Sequence, residues 1–297
     1  MPLASRLRAR HARLLIVGCG DVGLRVRRHL GAHWRVLALN REPARAAALR
    51  AQGITPLAGD LDAPATLARL AALAQRVLHL APPQGQGERD TRTRALTRAL
   101  RGHPLRAVYV STTGVYGDAG GAWVAETRAT APATDRARRR VDAEQGWRRW
   151  GRMQGVVASV LRVPGIYALD RPGGDPRERL RRGAPVLAPA DDVYTNHIHA
   201  DDLARACIAA LWRGAPQRIY HVADTSQRTM GAHFEAVAAA LGLPPPPRLT
   251  LAQARAQLTS TQLSFWLESR RLTTTRLTRE LRVVLRYPDV LTALAAG

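Results

Sequence analysis

The chain has 297 residues and a formal net charge of +22, from 45 basic and 23 acidic side chains. All 45 basic residues are arginine, and the absence of lysine excludes a lysine Schiff base, a P-loop lysine and a Tyr-x-x-x-Lys catalytic pair. A hydrophobic fraction of 46% with 23% charged residues is typical of a globular chain and excludes a disordered one.

Residues 1–12 are predicted to form a basic N-terminal leader. The apolar stretch after it, 14–17, is too short for a signal peptide or for a membrane span of about 18 residues, and it predicts a first β-strand. The two cysteines, Cys19 and Cys207, indicate no disulfide framework, which fits a reducing compartment. We therefore predict a cytoplasmic protein without a membrane anchor.

A glycine-rich turn follows this strand and opens a helix, with the sequence Gly18-Cys19-Gly20-Asp21-Val22-Gly23. Gly18 permits a tight turn, Gly20 lets a pyrophosphate approach the backbone, and Gly23 lets the helix pack closely on the strand. The helix N-terminus adds free N–H groups and a positive dipole end. A second apolar strand at 34–39 completes the unit, which predicts a dinucleotide-binding site.

The end of the second strand selects the cofactor, because a carboxylate there binds the ribose hydroxyls of NAD and an arginine binds the 2′-phosphate of NADP. This chain has Asn40 and Arg41 at that point. A guanidinium can bind a phosphate through two hydrogen bonds, so the sequence favours NADP(H) over NAD(H).

Strands and helices alternate along the rest of the chain, which predicts an α/β fold with a doubly wound parallel sheet. Ligands of such sheets bind beyond the carboxyl ends of the strands, so the segments that follow the strands should converge on one crevice. Further strands are predicted at 54–58, 76–81, 105–111, 155–163 and 218–223, and helices at 63–75, 88–101, 135–150 and 231–242.

Several short motifs follow one another along the chain, namely Gly18–Gly23, Asp60-Leu61, His79-Leu80-Ala81-Pro82, Val110–Gly117, Leu161–Tyr167, Ile198–Leu203 and Arg286–Asp289. In this order they resemble the extended short-chain dehydrogenase/reductase superfamily, with the chain as an atypical member similar to NAD-dependent epimerase/dehydratase proteins. The resemblance implies a Rossmann-type doubly wound parallel sheet with a smaller C-terminal substrate lobe. It places the NAD(P)-binding domain at 13–167 and the lobe mainly at 168–297, with segments returning to the core.

The resemblance also implies roles for residues near the crevice. Asp60 and Leu61 would flank the adenine, and Ala81 and Pro82 would line the cofactor phosphates and ribose. Thr112 would orient a substrate carbonyl or hydroxyl. Pro164 would lie beside the nicotinamide. Substrate contacts are expected from Thr113, Tyr167, His197 and Arg271, and Arg270 lies with Arg271 where related proteins often meet anionic substrates. A packing role for Tyr167 and His197 and a solvated position for the two arginines stay open.

The catalytic tyrosine and lysine of the superfamily are both absent from this chain. The tyrosine position falls on Arg136 and the lysine position on Arg140, and residues 117–166 contain no tyrosine. Arg140 could still hold ribose hydroxyls, but Arg136 is a poor proton donor because guanidinium does not deprotonate in proteins. Tyr116, which follows a strand, and water held by Thr112 are the substitute proton donors, with a packing role for Tyr116 as the alternative.

Two functional hypotheses remain. The first is an oxidoreductase or epimerase/dehydratase that acts on a small carbonyl or sugar-nucleotide-like substrate, and the second is a non-catalytic NADP(H)-binding sensor. No metal-ligand spacing and no nucleic-acid-binding module is visible, so most of the arginine charge is interpreted as a solvated surface. The predicted helices at 88–101 and 135–150 are rich in arginine, which leaves a monomer and a dimer both open.

Overall fold

The computed structural model of the chain describes residues 12–100 and 104–297. Residues 1–11 of the predicted leader therefore lie outside the described residues, and Ala12 begins the first strand. The last residue of the predicted helix 88–101, Arg101, also lies outside them.

The strands fall close to the predicted segments. Seven of them form the main sheet, and the others are short pieces paired two by two. The main-sheet strands are β1 (Ala12–Val17), β2 (Trp34–Asn40), β3 (Ile54–Ala58), β4 (Arg76–His79), β5 (Arg106–Thr112), β7 (Val157–Val163) and β11 (Ile219–His221). The short strands are β6 (Trp123–Val124), β8 (Gly165–Tyr167), β9 (Val186–Leu187), β10 (His197–His199), β12 (Arg248–Leu249) and β13 (Arg271–Leu272).

The main sheet has the order β11-β7-β5-β4-β1-β2-β3, and every neighbouring pair is parallel. The strand order reverses at β1, which lies between β2 and β4. In a doubly wound sheet, ligands bind at such a reversal, outside the carboxyl ends of the strands. The fold is therefore the predicted Rossmann-type sheet, and the turn after β1 is at its reversal point.

Helices connect the strands and cover both faces of the sheet. They are α1 (Asp21–His29), α2 (Ala46–Ala51), α3 (Thr91–Ala99), α4 (Asp135–Gln154), α5 (Pro176–Arg181), α6 (Ala200–Arg213), α7 (Met230–Ala240), α8 (Leu251–Gln257), α9 (Ser260–Trp266), α10 (Thr275–Arg279) and α11 (Val290–Ala296). The helix predicted at 63–75 is shorter in the structure and is a 3-10 helix, at Pro64–Leu70. Leu67 and Leu70 are both buried at an i,i+3 spacing that suits a three-residue turn.

The core lies on both sides of the sheet because successive side chains of a strand point to opposite faces. Leu14 of β1 packs with α1 and α6 on one face, where Val26 and Leu203 are buried. Leu15 packs on the other face with α3 and α4, where Leu96 and Trp147 are buried. The long α4 is capped by Thr134, whose hydroxyl accepts a hydrogen bond from the N–H of residue 137, and it is followed by Gly155 in the left-handed conformation.

The chain after Tyr167 divides between the sheet and a separate cluster. Strand β11 pairs with β7, and α6 packs against α1, so both return to the core. The separate apolar cluster contains Val186 together with Phe234 and Trp266. Among the residues that the structure describes, none of the helices is both long and apolar enough to cross a membrane.

Buried titratable groups make the stability of the fold depend on pH. Burial lowers the pKa of His79 to about 3 and of His197 and His221 to about 4, and burial raises the pKa of Asp224 to about 8. Between pH 6.5 and 4 these histidines become protonated in the unfolded chain but stay neutral in the folded chain. The free energy of unfolding therefore decreases as the pH falls. Between pH 4 and 8 the Asp224 carboxyl acts in the opposite direction.

We therefore expect the free energy of unfolding to be greatest near pH 6.5, measured by urea denaturation across pH 4 to 8. Each fully neutral histidine contributes a limiting slope of about 1.4 kcal/mol per pH unit below that value. Asp224→Asn, which resembles the protonated carboxyl, should remove the decline between pH 6.5 and 8 and keep the acid decline. Constant stability from pH 6.5 to 4 would contradict this expectation.

Candidate functional site

The turn after β1 has a conformation and close contacts that require glycine at Gly18 and Gly23. Gly18 has φ +85°, and a Cβ placed there would lie 2.5 Å from the backbone nitrogen of Ala81. A Cβ on Gly23 would lie 3.0 Å from the sulfur of Cys19. At Gly20, no atom of the described residues lies within 4 Å of the Cβ position. The turn is therefore tight at both ends and open at Gly20, where a phosphate could approach the backbone.

A pocket of about 400 Å³ opens above this turn, and we call it the first pocket. Segments that follow β1, β2, β3 and β4 contribute to it, because parallel strands end at the same edge of the sheet. It brings together most of the residues predicted to contact the cofactor. Its lining includes Gly18, Cys19, Gly20, Asn40, Arg41, Asp60, Leu61, Ala81 and Pro82, and also Glu42, Arg45 and Arg92.

Two arginines lie at the β2 side of the first pocket. Arg41 is exposed, with Nε 3.6 Å from the Glu42 carboxylate, and Asn40 Nδ2 donates to the Glu42 carbonyl. Arg45, which sequence reasoning missed, donates from its guanidinium to the Cys19 carbonyl at 3.0 Å. This contact places a second positive charge beside the glycine turn. Arg45 lies in an arginine-rich stretch, and no local pattern distinguishes it from the arginines around it.

The other turn residues contribute to packing. The Asp21 carboxylate contacts Arg25 and Arg171, and it is directed toward these groups and not into the first pocket. Arg25 is buried and also contacts Asp170 and, at 2.9 Å, Asp201. Val22 packs against the core under α1, and burial raises the pKa of the Cys19 thiol to about 11. The ion pairs of Asp21 and Arg25 hold α1 against the segments that follow β8 and β10.

A second pocket of about 360 Å³ lies at the ends of β5 and β7, next to β4 in the same sheet. It contains Thr112, Thr113, Arg136, Arg140 and Pro164 of the predicted site, and it adds residues from three later segments of the chain. The lining is Thr112, Thr113, Gly114, Thr134, Arg136, Ala137, Arg140, Pro164, Gly165, Tyr194, Thr195, Asn196, Met230, Phe265, Glu268 and Arg270.

Arginines occupy both positions of the missing catalytic pair, and both face this second pocket. The Arg136 guanidinium lies 4.3 Å from the centre of the Phe265 ring. Arg140 donates to the Tyr109 hydroxyl and to the Val110 carbonyl, each at 2.9 Å. Arg140 is therefore a fixed cation at the end of β5, and a guanidinium there cannot exchange a proton with a substrate.

The structure does not bring Tyr116 to the pocket. Its ring is buried, and its hydroxyl lies 2.6 Å from Nε2 of His221. The other ring nitrogen of His221 faces the Thr273 carbonyl at 2.8 Å, so it carries the proton and Nε2 accepts from the tyrosine. Burial raises the pKa of Tyr116. Tyr116 is therefore a packing residue, as the alternative interpretation of the sequence held, and its position does not support a role as proton donor.

Three residues predicted to contact substrate also lie outside the lining of the second pocket. Tyr167 is buried in an apolar cluster with Val237. His197 stacks on His233 with their ring centres 4.0 Å apart. The Arg271 guanidinium donates to the Gly121 carbonyl and lies 4.6 Å from the Tyr194 ring centre. Packing and hydrogen bonding within the protein account for these positions.

Of the two neighbouring arginines, Arg270 and not Arg271 lies in the second pocket. Arg270 is buried, lines the second pocket and donates to the Gly117 carbonyl and, at 2.7 Å, to the Glu268 carboxylate. Glu268, by contrast, was not predicted from the sequence. It lies in the connection between α9 and β13, where no periodic pattern or motif marks a functional residue. The pairing of β13 with β6 and hydrogen bonds that join Ser269 and Arg270 to the segments 119–121 and 194–196 hold this connection beside the pocket.

The chain belongs to the NAD dependent epimerase/dehydratase family, whose model matches residues 14–223. A search of curated protein sequences found no match. Among solved structures, the chain is similar to a conserved protein of unknown function from Silicibacter pomeroyi, with 30% identity, 96% of this chain and 97% of that chain covered, and a TM-score of 0.78.

Two enzymes with bound ligands share the fold at lower identity. One is the dTDP-glucose 4,6-dehydratase DesIV of Streptomyces venezuelae, solved with NAD as a double mutant, with 20% identity, 95% and 94% coverage and a TM-score of 0.76. The other is the UDP-glucose 4-epimerase of Thermotoga maritima, solved with UDP-glucose, with 16% identity, 95% and 96% coverage and a TM-score of 0.75.

Proposed function

We propose that this protein binds NADP(H) in the first pocket and is an oxidoreductase or epimerase/dehydratase acting on a small carbonyl or sugar-nucleotide-like substrate in the second pocket. The observation that carries the proposal is the open turn at Gly20, which lies in one pocket with the ends of four parallel strands. Family membership supports the same class of cofactor and reaction.

Each part of the first pocket has a group suited to part of a dinucleotide. The N–H groups after Gly20 would hold the pyrophosphate, Asp60 and Leu61 would flank the adenine, and Ala81 and Pro82 would line the ribose. In the second pocket, Pro164 and Arg140 would face the nicotinamide half. When bound, the nicotinamide would accept or donate a hydride at the substrate carbon.

The preference for NADP(H) rests on Arg41 and Arg45. Both guanidiniums lie on the side of the first pocket formed by the end of β2, where a Rossmann fold holds the adenosine ribose. Only one carboxylate, Glu42, accompanies them in the segment 40–45. A 2′-phosphate would therefore meet two cations there, whereas an unmodified ribose would find no carboxylate at position 40 to accept its hydroxyls.

We expect Arg41→Ala and Arg45→Ala each to weaken NADPH binding about 10- to 100-fold and to change NADH binding by less than about threefold, as measured by calorimetry. Arg50→Ala is the matched control, because Arg50 is exposed on the adjacent α2 and does not line the pocket. Equal losses for NADPH and NADH would contradict the assignment of the 2′-phosphate to these two arginines.

The sensor hypothesis draws on a specific observation, the two guanidiniums of Arg136 and Arg140 at the positions of the catalytic pair. Turnover decides between the two functions. The enzyme proposal expects NADPH-dependent reduction, or NADP⁺-dependent oxidation, of at least one compound in a panel of aldehydes, ketones and UDP- and dTDP-sugars. Tight NADPH binding without turnover of the panel, combined with activity in an Arg136→Tyr, Arg140→Lys variant, would favour the sensor.

A further inference from the structure

Glu268 is a carboxylate in a pocket whose other charged groups are arginines. Its side chain is 14% exposed, and Oε2 accepts a hydrogen bond from Arg270 at 2.7 Å. Arg136 also interacts electrostatically with it. Among the described residues that line the second pocket, Glu268 and Tyr194 have the acidic side chains, whereas Arg136, Arg140 and Arg270 carry guanidiniums, which do not deprotonate in proteins.

The carboxylate and the Thr112 hydroxyl both lie near the Cβ position of Gly114. The Cβ position of Gly114 lies 3.7 Å from Thr112 Oγ1 and 4.0 Å from Glu268 Oε2, and these are among the three nearest atoms of the described residues. Glycine at 114 leaves this point empty of side chain, so a substrate oxygen near it could contact both groups. A hydroxyl that orients and a carboxylate that accepts a proton are the two functions needed at an oxidised alcohol.

The tyrosine of the pocket is placed differently. The Tyr194 ring lies against the Arg271 guanidinium, with 4.6 Å between its centre and Cζ, and it borders Gly121. The geometry therefore favours the carboxylate over this phenol.

We propose that Glu268 is the acid/base residue of the second pocket and replaces the missing tyrosine. In the oxidation direction, the O–H bond of the substrate alcohol breaks and its proton passes to the Glu268 carboxylate. The electron pair left on oxygen forms the C=O bond as the carbon loses a hydride, which the oxidised nicotinamide dinucleotide of the proposed function accepts. Thr112 holds the reacting oxygen, and the hydrogen bond from Arg270 holds the carboxylate in place.

This inference rests on the proposed function, so its test separates the two. Glu268→Gln keeps an acceptor for Arg270 and is expected to leave the NADPH dissociation constant unchanged within about twofold. Its kcat should fall about 100-fold or more with little change in KM, and the acidic limb of its pH–rate profile should disappear. Glu280→Gln, at an ion pair with Arg218 outside both pockets, is the control for loss of a paired carboxylate.

A second measurement needs no turnover. The chain has eight glutamates, so the carboxyl carbons of ¹³C-glutamate-labelled protein can be assigned by single variants. In protein saturated with NADPH, which cannot oxidise an alcohol, added UDP-glucose or propane-1,2-diol should shift the Glu268 resonance and leave the Glu280 resonance in place. Unchanged activity in Glu268→Gln, or a Glu268 resonance that neither probe moves, would overturn the inference. Failure of the wild type to bind NADPH would instead overturn the proposed function.

Discussion

An Arg162→Met variant is expected to lose about 3 to 5 kcal/mol of unfolding free energy, because the change leaves a buried carboxylate without its partner. Arg162 on β7 donates to Glu144 on α4 at 3.1 Å from Nε and 2.6 Å from the terminal nitrogen, and each side chain is about 4% exposed. The pair joins the sheet to its longest helix. Urea denaturation at pH 6.5 measures the loss.

The double variant Arg162→Met, Glu144→Leu separates the ion pair from packing. Removing both charges should restore a large part of the stability, since the cost of the single change comes from the unpaired charge. Arg138→Met is the control, because the Arg138–Asp135 pair at 2.7 Å is largely exposed and should contribute less than about 1 kcal/mol. Similar small losses for Arg162→Met and Arg138→Met would show that the buried pair has no special role.

Gly20→Ala is expected to weaken NADPH binding at least about tenfold while the free energy of unfolding changes by less than about 1 kcal/mol. Gly20 has φ −90° and ψ −151°, a region that alanine also adopts, and its Cβ position is free of contacts with the described residues. The added methyl group would therefore occupy only the space proposed for the pyrophosphate. Calorimetric titration with NADPH, together with urea denaturation, tests both parts.

Gly18→Ala and Gly146→Ala are the reference variants for Gly20→Ala. Gly18→Ala should lose both binding and stability, by about 1 to 3 kcal/mol, because its positive φ and the nearby Ala81 backbone do not accept a side chain. Gly146→Ala lies in the middle of α4, away from the first pocket, and should leave binding unchanged. If Gly20→Ala binds NADPH as the wild type does, the turn does not hold a pyrophosphate.

The sequence predicted those parts of the fold that local pattern determines. The glycine spacing of residues 18–23 and the apolar runs of β1 and β2 are local, and the structure places them as expected. The ends of parallel strands meet at one edge, so Asp60 and Ala81 could also be placed in one pocket from their sequence positions. The helix predicted at 63–75 is a shorter 3-10 helix, since its two buried leucines, Leu67 and Leu70, are three residues apart and suit a three-residue turn.

The second pocket was less predictable because long-range packing decides which side chains face it. Tyr116 and Tyr167 follow strands, as pocket residues do, but both turn into apolar clusters. Arg270 and Arg271 differ by one position, and the pairing of β13 decides which of them points to the pocket. Glu268 comes from a connection 156 residues beyond Thr112 in the chain, and no local signal links the two.

The most direct test of the account is a calorimetric titration of the wild-type protein with NADPH and, separately, with NADH. We predict saturable binding of one dinucleotide per chain, with NADPH bound more tightly than NADH, because Arg41 and Arg45 meet the 2′-phosphate beside the turn at Gly20. Absence of saturable binding for both dinucleotides would contradict the assignment of the first pocket and every function built on it.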